Sequence, residues 1–146
     1  MTDRDASGKQ VRTSGMSMAP FIPPGSILTV SRVGPENLRP GDVVCYIDET
    51  GDGVAHRIIG IETRNNKPVF ILQGDAHPLN EVVPAESIVY QVQKVAIGPI
   101  FYRCHGVWGQ LFSSMARSQA FPSRCIRRIF LNLWRGAVSV QRLYRR

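Results

Sequence analysis

Cysteine is scarce in this 146-residue chain, and its three copies, Cys45, Cys104 and Cys125, lie far apart. No two of them form a Cys-x-x-Cys pair, so the sequence offers neither a disulfide framework nor a zinc site. Long apolar runs are also missing, since none reaches the roughly 20 residues of a membrane-spanning helix. Residues 1–12 are polar and lack the apolar core of a signal peptide. We therefore expect reduced thiols and no spanning helix.

Acidic residues and lysines are absent from residues 101–146, which contain nine arginines. The first 100 residues carry nine basic and eleven acidic side chains, so the formal charge of +7 arises in the last third of the chain. Purely cationic segments are attracted to anionic lipid or nucleic acid. The composition therefore predicts a nearly neutral domain, followed by a cationic tail over residues 98–146.

Short β-prone runs separated by turn signals fill residues 14–97. Strands are predicted at residues 27–33, 43–47, 54–62, 69–73 and 87–95. Turns are indicated at 22–25, 40–42, 48–53 and 65–68, and residues 74–84 are predicted to be a polar loop. This spacing favours a mainly β fold, a compact antiparallel or mixed domain. Residues 1–13 are expected to form a disordered leader.

A basic amphipathic helix is predicted over residues 123–146, and residues 100–115 are assigned only loosely as helical. Apolar side chains recur at helical spacing between positions 126 and 144, while most arginines fall on the other face. Such a helix is expected to lie in an anionic membrane interface. Docking onto its own domain or onto a partner is the alternative. Nucleic acid is not expected, because the aromatics belong to a continuous apolar face and not to separate stacking platforms.

The sequence Ser-Gly-Met-Ser-Met-Ala-Pro at 14–20 places Ser17 in a stiff bend with apolar neighbours. Gly15 permits backbone angles that other residues avoid, and Pro20 fixes its own φ and restricts the residue before it. A nucleophilic hydroxyl requires such a setting, because it must be aimed and partly shielded from water. The simpler interpretation is a turn in which Ser17 caps backbone groups.

Two histidines are candidates for the base that Ser17 would need. His56 lies within the predicted strand 54–62, where a packed core histidine is the alternative interpretation, and His77 lies in a loop. If strands 54–62 and 69–73 form a hairpin, Asp75 emerges on the side of His56 and could orient its imidazole. Asp42 is a rival acid, but a Pro-Gly-Asp sequence favours a role in a turn.

Four motifs follow one another along the chain: Ser-Met-x-Pro at 17–20, Pro-Gly-Asp-Val-Val at 40–44, His-Arg-Ile-Ile-Gly-Ile at 56–61 and Gln-Gly-Asp-Ala at 73–76. In this order they resemble the signal peptidase I superfamily, which also includes self-cleaving repressor proteases. The resemblance covers about residues 14–95. The distance of 39 positions from Ser17 to His56 is similar to that in the serine–histidine branch of archaea and the endoplasmic reticulum.

The resemblance implies a catalytic set. Ser17 is the expected nucleophile, His56 the general base and Asp75 the acid, while the family's second aspartate corresponds to Glu81. Position 15 is glycine, where many relatives carry a serine that helps to hold the oxyanion. The backbone N–H of Ser17 remains for that task. No metal or organic cofactor is implied.

The implied function is that of a serine endopeptidase that removes leader or signal segments from precursor proteins. An extended substrate would lie beside the serine, with Met18 and Pro20 among its binding residues and small side chains favoured before the cut. Membrane association through residues 123–146, with or without a membrane-anchored partner, is expected. The alternatives are a cytosolic maturation protease for one dedicated precursor, and a catalytically inactive β-domain that serves as a membrane-bound adaptor.

Overall fold

The computed structural model describes residues 8–77 and 79–104, and in this part of the chain the protein is almost entirely β. The eight strands are β1 (Lys9–Arg12), β2 (Ile27–Ser31), β3 (Val43–Ile47), β4 (Gly53–Arg64), β5 (Lys67–Gln73), β6 (Asn80–Pro84), β7 (Ile88–Ile97) and β8 (Ile100–Arg103). The helical content of the described residues consists of two 3-10 turns, Pro35–Asn37 and Ala85–Ser87. The prediction of a mainly β domain is confirmed.

All strand pairs are antiparallel, and the order across the sheet is β1-β2-β7-β3-β4-β5-β6, with β8 paired to the end of β7. Buried residues alternate with less buried ones along β2 and β5, whereas Val43 and Val44, neighbours in β3, are both buried, so side chains on both faces of the sheet are covered there. The interior is divided into two apolar clusters. The first contains Met18, Ile22, Leu28, Val30, Val43, Val92, Val95 and Cys104, and the second contains Leu38, Val44, Tyr46, Ile58, Phe70, Leu72 and Val83.

A tight hairpin joins β4 to β5 and sets the register on which the site depends. Asn65 and Asn66 both have positive φ, at 50° and 59°, a conformation that asparagine tolerates and that matches the twist of paired strands. This confirms the predicted turn. The hairpin places Gln73, the last residue of β5, opposite Arg57. Because the strands are antiparallel, the chain that follows β5 passes beside His56.

Three strands lie where none was predicted. β1 occupies part of the expected leader, β6 part of the expected polar loop, and β8 the start of the expected helical tail. β1 and β6 are the outer strands of the sheet, where exposed polar residues and a terminal proline are tolerated. Each of these strands forms through long-range or hairpin pairing, and none carries a clear apolar alternation of its own.

The predicted helix over residues 123–146 lies outside the described residues, as does the remainder of the chain from position 105. Within residues 8–77 and 79–104, no helix is long and apolar enough to cross a membrane. Cys45 and Cys104 are free thiols.

Candidate active site

Ser17 lies in a turn that follows β1 and a short exposed connection. The amide of Ala19 donates to the carbonyl of Met16 at 3.0 Å, and the amide of Ile22 donates to the carbonyl of Met18 at 2.9 Å. Met18 is buried in the first apolar cluster, so the turn is anchored immediately after the serine. Among the described residues, no hydrogen bond engages the amide N–H or the hydroxyl of Ser17. Both groups are therefore available to a substrate.

His56 lies in β4 with its side chain almost completely buried. The residue is 6% exposed, and its Nε2 atom has no hydrogen-bond partner among the described residues. A buried polar atom without a protein partner is uncommon, and such an atom usually bonds a water molecule, an ion or a ligand. Nε2 and the β-carbon of Ser17 lie 3.1 and 3.2 Å from the same point, the position that a β-carbon on Gly74 would occupy. The predicted base and nucleophile thus border one small space.

The other imidazole nitrogen of His56 is held by Tyr46 and Glu81. Tyr46 Oη lies 3.1 Å from His56 Nδ1 and donates its proton in a short hydrogen bond to Glu81 Oε2. The carboxylate itself is 3.6 Å from Nδ1. Because the single phenolic proton goes to Glu81, the phenolic oxygen accepts from Nδ1–H. The lone pair of the neutral ring is then on Nε2, the atom that faces Ser17.

The electrostatic surroundings keep this histidine neutral. Burial lowers the pKa of His56 below its ordinary value of 6.5, and the nearby charges of Glu81 and Asp75 only partly oppose this effect. Burial, together with the hydrogen bond to Glu81, raises the pKa of Tyr46. At neutral pH the site therefore holds a protonated phenol and an uncharged imidazole, as a general base requires.

Asp75 has a different place from the one expected. Both of its carboxylate oxygens accept from the guanidinium of Arg57, at 2.8 and 2.7 Å, and both side chains are buried. Arg57 also donates to the carbonyl of Gly41 at 2.9 Å. His56 and Arg57 are neighbours in a strand, so their side chains point to opposite faces of the sheet. The expected hydrogen bond from Asp75 to the imidazole is thus corrected: Asp75 pairs with Arg57, and Glu81 is the acid on the His56 side.

The loop after β5 closes over the serine turn. The amide of Ala76 donates to the carbonyl of Ser17 at 2.8 Å, and that of His77 donates to the carbonyl of Gly74 at 3.0 Å. A β-carbon on Gly74 would lie 2.6 Å from the Ser17 carbonyl oxygen, which is too close for any other residue. Glycine is thus required where this loop passes between Ser17 and His56.

Two grooves meet at Ser17. The β6-side groove has a volume of about 720 Å³ and includes His56, His77 and Glu81 in its walls. The β1-side groove has a volume of about 440 Å³ and includes Ser14, Gly15, Met18 and the start of β4 in its walls. Met18, a predicted substrate-binding residue, forms part of the second groove, whereas Pro20 lines neither. An extended chain can therefore cross the serine from one groove to the other.

Along the β1-side groove, one edge of β4 has no strand partner in the part of the chain that the structure describes. Ile58 exchanges backbone hydrogen bonds with Gly41 and Asp42 on the β3 side, so alternation turns the N–H and C=O of Gly53 and Ala55 to the opposite side. The neighbour on that side, β5, begins to pair only at Arg57. Gly53 and Ala55 also line the groove. Their backbone groups are placed to pair with an added strand.

The remaining predicted residues have clear places. Asp42 is a buried turn residue whose carboxylate accepts from the amide of Arg39 at 2.9 Å, which agrees with the preferred interpretation. His77 is exposed at the rim of the β6-side groove.

Tyr46 is a residue of the site that was not predicted from the sequence. The signal was present, because alternation from Val44, which pairs with His56, places Tyr46 on the same face of the sheet as the histidine.

No protein-family model matches this sequence, and a search of curated proteins finds no match. The chemistry of the site therefore rests on its own residues. Within the described part of the chain, no group of three or more histidine, cysteine, aspartate or glutamate side chains is arranged to hold a metal ion. What the arrangement can supply is an unbonded serine hydroxyl, an oriented neutral imidazole beside it, and an unpaired backbone amide.

Proposed function

We propose that this chain is a serine endopeptidase. The observation that carries the proposal concerns His56 Nε2, which is buried, has no partner among residues 8–77 and 79–104, and shares a small space with Ser17 while the opposite ring nitrogen is held by Tyr46. A structural histidine in a core would have both nitrogens satisfied or exposed. The two grooves that extend away from Ser17 favour an internal peptide bond over a chain end.

The reaction is acyl transfer in two steps. His56 Nε2 takes the proton of the Ser17 hydroxyl as Oγ attacks the substrate carbonyl carbon, and the same proton then goes to the leaving amine as the C–N bond breaks. A water molecule, deprotonated by the same nitrogen, next attacks the acyl-serine ester. The new acid leaves, and the proton returns to Ser17. No redox partner is consumed.

Glu81 and Tyr46 act on the imidazole during these steps. When Nε2 gains a proton the ring becomes cationic, and the Glu81 carboxylate 3.6 Å from Nδ1 stabilises that charge. Tyr46 holds the tautomer in which Nδ1 carries hydrogen. The amide of Ser17, which donates no hydrogen bond within the described residues, is the backbone donor assigned to the oxyanion, and Ser14, exposed in the β1-side groove, is a candidate second donor.

The substrate class is an extended polypeptide. Backbone groups of Gly53 and Ala55 give main-chain hydrogen bonds that do not depend on sequence, and the groove walls supply the preference for side chains. The four ordered motifs that resemble the signal peptidase I superfamily support the processing of leader segments from precursor proteins. The location proposed for this activity is a membrane surface bound through residues 123–146, with the cytosol as the alternative.

The proposal is tested by incubating the full-length protein with a panel of precursor proteins and with a fluorophosphonate label. Ser17→Ala should abolish both cleavage and labelling, whereas Ser31→Ala, which removes a serine of β2 outside both grooves, should retain them. Circular dichroism should show the same fold in all three proteins. Cleavage retained by the Ser17→Ala protein would refute the assignment. A protein that neither cleaves nor is labelled would instead be the inactive adaptor.

A further inference from the structure

The two grooves that meet at Ser17 carry opposite charges. The charged residues of the β1-side groove are Lys9 and Arg12, and no acidic residue is among its described walls. The β6-side groove contains no lysine or arginine among its described walls, and its charged residues are Asp48, Glu49 and Glu81. The change of sign occurs at the nucleophile itself. A polypeptide lying across Ser17 therefore meets a cationic surface on one side and an anionic surface on the other.

We propose that the chain selects substrates by charge order: acidic residues precede the cleaved bond and basic residues follow it. This inference rests on the proposed endopeptidase function and specifies its substrate class. It assigns the selecting role to Lys9 and Arg12 in the β1-side groove and to Asp48 and Glu49 in the β6-side groove.

The charges that face the substrate are available for contact. Lys9, Arg12 and Glu49 are exposed. Asp48 is held in the β3–β4 turn, where its Oδ1 atom accepts from the hydroxyl of Thr50 at 2.7 Å and from the amide of Asp52 at 2.9 Å. The Thr50 hydrogen bond, followed by that of Asp52, lowers the pKa of Asp48, so this carboxylate stays ionised. Glu81 is engaged by Tyr46 beside His56, whereas Asp48 Oδ2 and the carboxylate of Glu49 take part in no hydrogen bond among the described residues and can contact the substrate.

A second observation supports a ligand site in the β6-side groove. The nine-tenths buried His56 forms part of its wall, and the Nε2 atom of that ring has no partner among the described residues. The groove also exposes large apolar side chains: Leu79 is 75% exposed, Ile47 49% and Val82 48%. Lysine and arginine combine a long apolar stem with a charged end, so they suit an apolar wall with an acidic rim.

The free edge of β4 gives the direction. In acyl transfer, the part of the substrate before the cut stays bonded to Ser17 until water releases it, whereas the part after the cut leaves in the first step. The part of the substrate before the cut must therefore stay bound through both steps, and backbone hydrogen bonds to a strand edge are suited to hold it. The backbone groups of Gly53 and Ala55 that no strand of residues 8–77 or 79–104 pairs lie in the β1-side groove. That groove therefore takes the residues before the cut.

The test uses two isomeric alanine-rich peptides of twelve residues. One has two glutamates before a central Ala-Ala bond and two lysines after it, and the other has the lysines first. Because the isomers have equal net charge, the arginine-rich remainder of the chain attracts both equally at long range. Binding to full-length Ser17→Ala protein is measured by fluorescence anisotropy, so the result does not depend on cleavage. Rates of cleavage by the unaltered protein are measured in parallel.

We expect the glutamate-first isomer to bind about tenfold more tightly at low salt, since each exposed charge contact contributes modestly and several act together. The ratio should fall towards one in about 1 M salt, where charges are screened within a few ångströms. In the Ser17→Ala background, Arg12→Glu and Glu49→Lys should each reduce the preference. The matched controls Lys67→Glu and Glu62→Lys reverse exposed charges of the β4–β5 hairpin and should leave it unchanged.

Equal affinity for the two isomers, tighter binding of the lysine-first isomer, or no binding of either one would overturn the proposal. A different result would refute the proposed function alone. If the protein prefers the glutamate-first isomer but never cleaves it, the charge selection stands and the endopeptidase activity does not. Cleavage of both isomers at equal rates would keep the endopeptidase and remove the charge selection.

Discussion

Asp75 and Arg57 form a buried bidentate ion pair, with guanidinium–carboxylate distances of 2.8 and 2.7 Å, and Arg57 directly follows His56 in β4. The pair ties the loop after β5 to β4, and Arg57 reaches on to the carbonyl of Gly41. It therefore fixes the loop that brings Gly74 and Ala76 against Ser17. The other carboxylate of the site, Glu81, lies on the His56 side and is 47% exposed.

Substitutions of Asp75 and Glu81 are expected to have different effects. Asp75→Ala leaves the guanidinium of Arg57 buried without its partner, so the free energy of unfolding should fall by about 3–5 kcal/mol in urea denaturation. Glu81→Gln removes a half-exposed charge and should change stability by less than about 1 kcal/mol. Its effect should be on kcat instead, because the imidazolium loses a stabilising charge. An Asp75→Ala protein with unaltered stability would contradict this division of roles.

Tyr46→Phe tests the link between histidine and acid. Without the phenol, Nδ1–H loses its acceptor and both tautomers become populated, so we expect kcat/KM to fall by about 10²-fold, within the range of positioned acid–base groups. Nitrogen-15 NMR of the His56 ring should show Nδ1–H in the parent protein and a mixture in the variant. Tyr102→Phe, which removes another partly buried phenol at a position outside both grooves, where the hydroxyl donates to the carbonyl of Phe21, is the control. An Nε2–H tautomer in the parent protein would refute the arrangement.

The pH dependence follows from the buried imidazole. The pKa of His56 lies below 6.5, chiefly because burial disfavours the cation, so kcat/KM should be constant near pH 7 and decline only as the pH falls through that lower value. Stability should follow the same direction. The unfolded chain takes up the proton near pH 6.5 and the folded chain only at lower pH, so stability is full above 6.5 and is lost as the pH falls through the folded pKa.

NMR titration of the His56 ring provides the measurement for this prediction. His77→Gln removes the second imidazole from the β6-side groove, so the groove signal that remains is that of His56. An apparent pKa above 7 in the activity profile would show that a different group controls the reaction.

Gly74→Ala should inactivate the protein without unfolding it. The added carbon would lie 2.6 Å from the Ser17 carbonyl oxygen and 3.1 Å from His56 Nε2, so the loop or the serine turn must move. A displacement of about 1 Å in a reacting group costs on the order of 10²-fold in rate. Gly60→Ala is the matched control, since its nearest contact is an ordinary 3.4 Å to the end of the Ile71 side chain. Equal losses from both variants would argue against a role for the close approach.

Residues 123–146 are expected to hold the protein on anionic bilayers. Each arginine near an anionic surface should add about 1 kcal/mol, and an apolar stripe should add roughly 25 cal/mol per Å² of buried apolar area, before the cost of ordering the segment. Liposome flotation should show binding that weakens with salt but persists. Trp134→Asp should reduce it more than Arg146→Ala. Full-length protein that stays in solution with anionic liposomes at low salt would favour the cytosolic maturation protease.

Part of the fold and site follows from local signals in the sequence. The run at residues 43–47 forms β3 with the predicted limits. The Asn65–Asn66 turn predicts a hairpin, and a hairpin alone is enough to bring the exit of β5 beside His56. The proximity of Ser17 to His56 could not be predicted from local signals, because no local pattern fixes how the serine turn lies against β4. There the ordered motifs and their resemblance to a known superfamily supplied the expectation.

The choice between the two acids depended on information that the sequence does not hold locally. A hairpin brings Asp75 to the part of β4 that contains His56. Side chains alternate between the two faces of a strand, so His56 lies on one face and Arg57 on the other. The acid therefore had two possible partners one residue apart. Glu81 reaches the histidine only because β6 pairs with β5, and β6 is a short edge strand with a polar start. Pairing at a distance, and not propensity, decides such a strand.

The register of the β4–β5 hairpin has a consequence for how this chain can vary. β4 holds one extra residue, Ile59, because Ile58 is opposite Leu72 while Gly60 is opposite Ile71. Beyond this bulge the hairpin lines neither groove. Its arm can lengthen or shorten by one residue on each strand together, and Gln73 stays opposite Arg57. A single residue inserted into β5 would instead turn every later side chain to the other face, unless a second bulge accommodates it as the bulge at Ile59 does in β4. Relatives without such a second bulge should therefore differ in hairpin length by even numbers of residues.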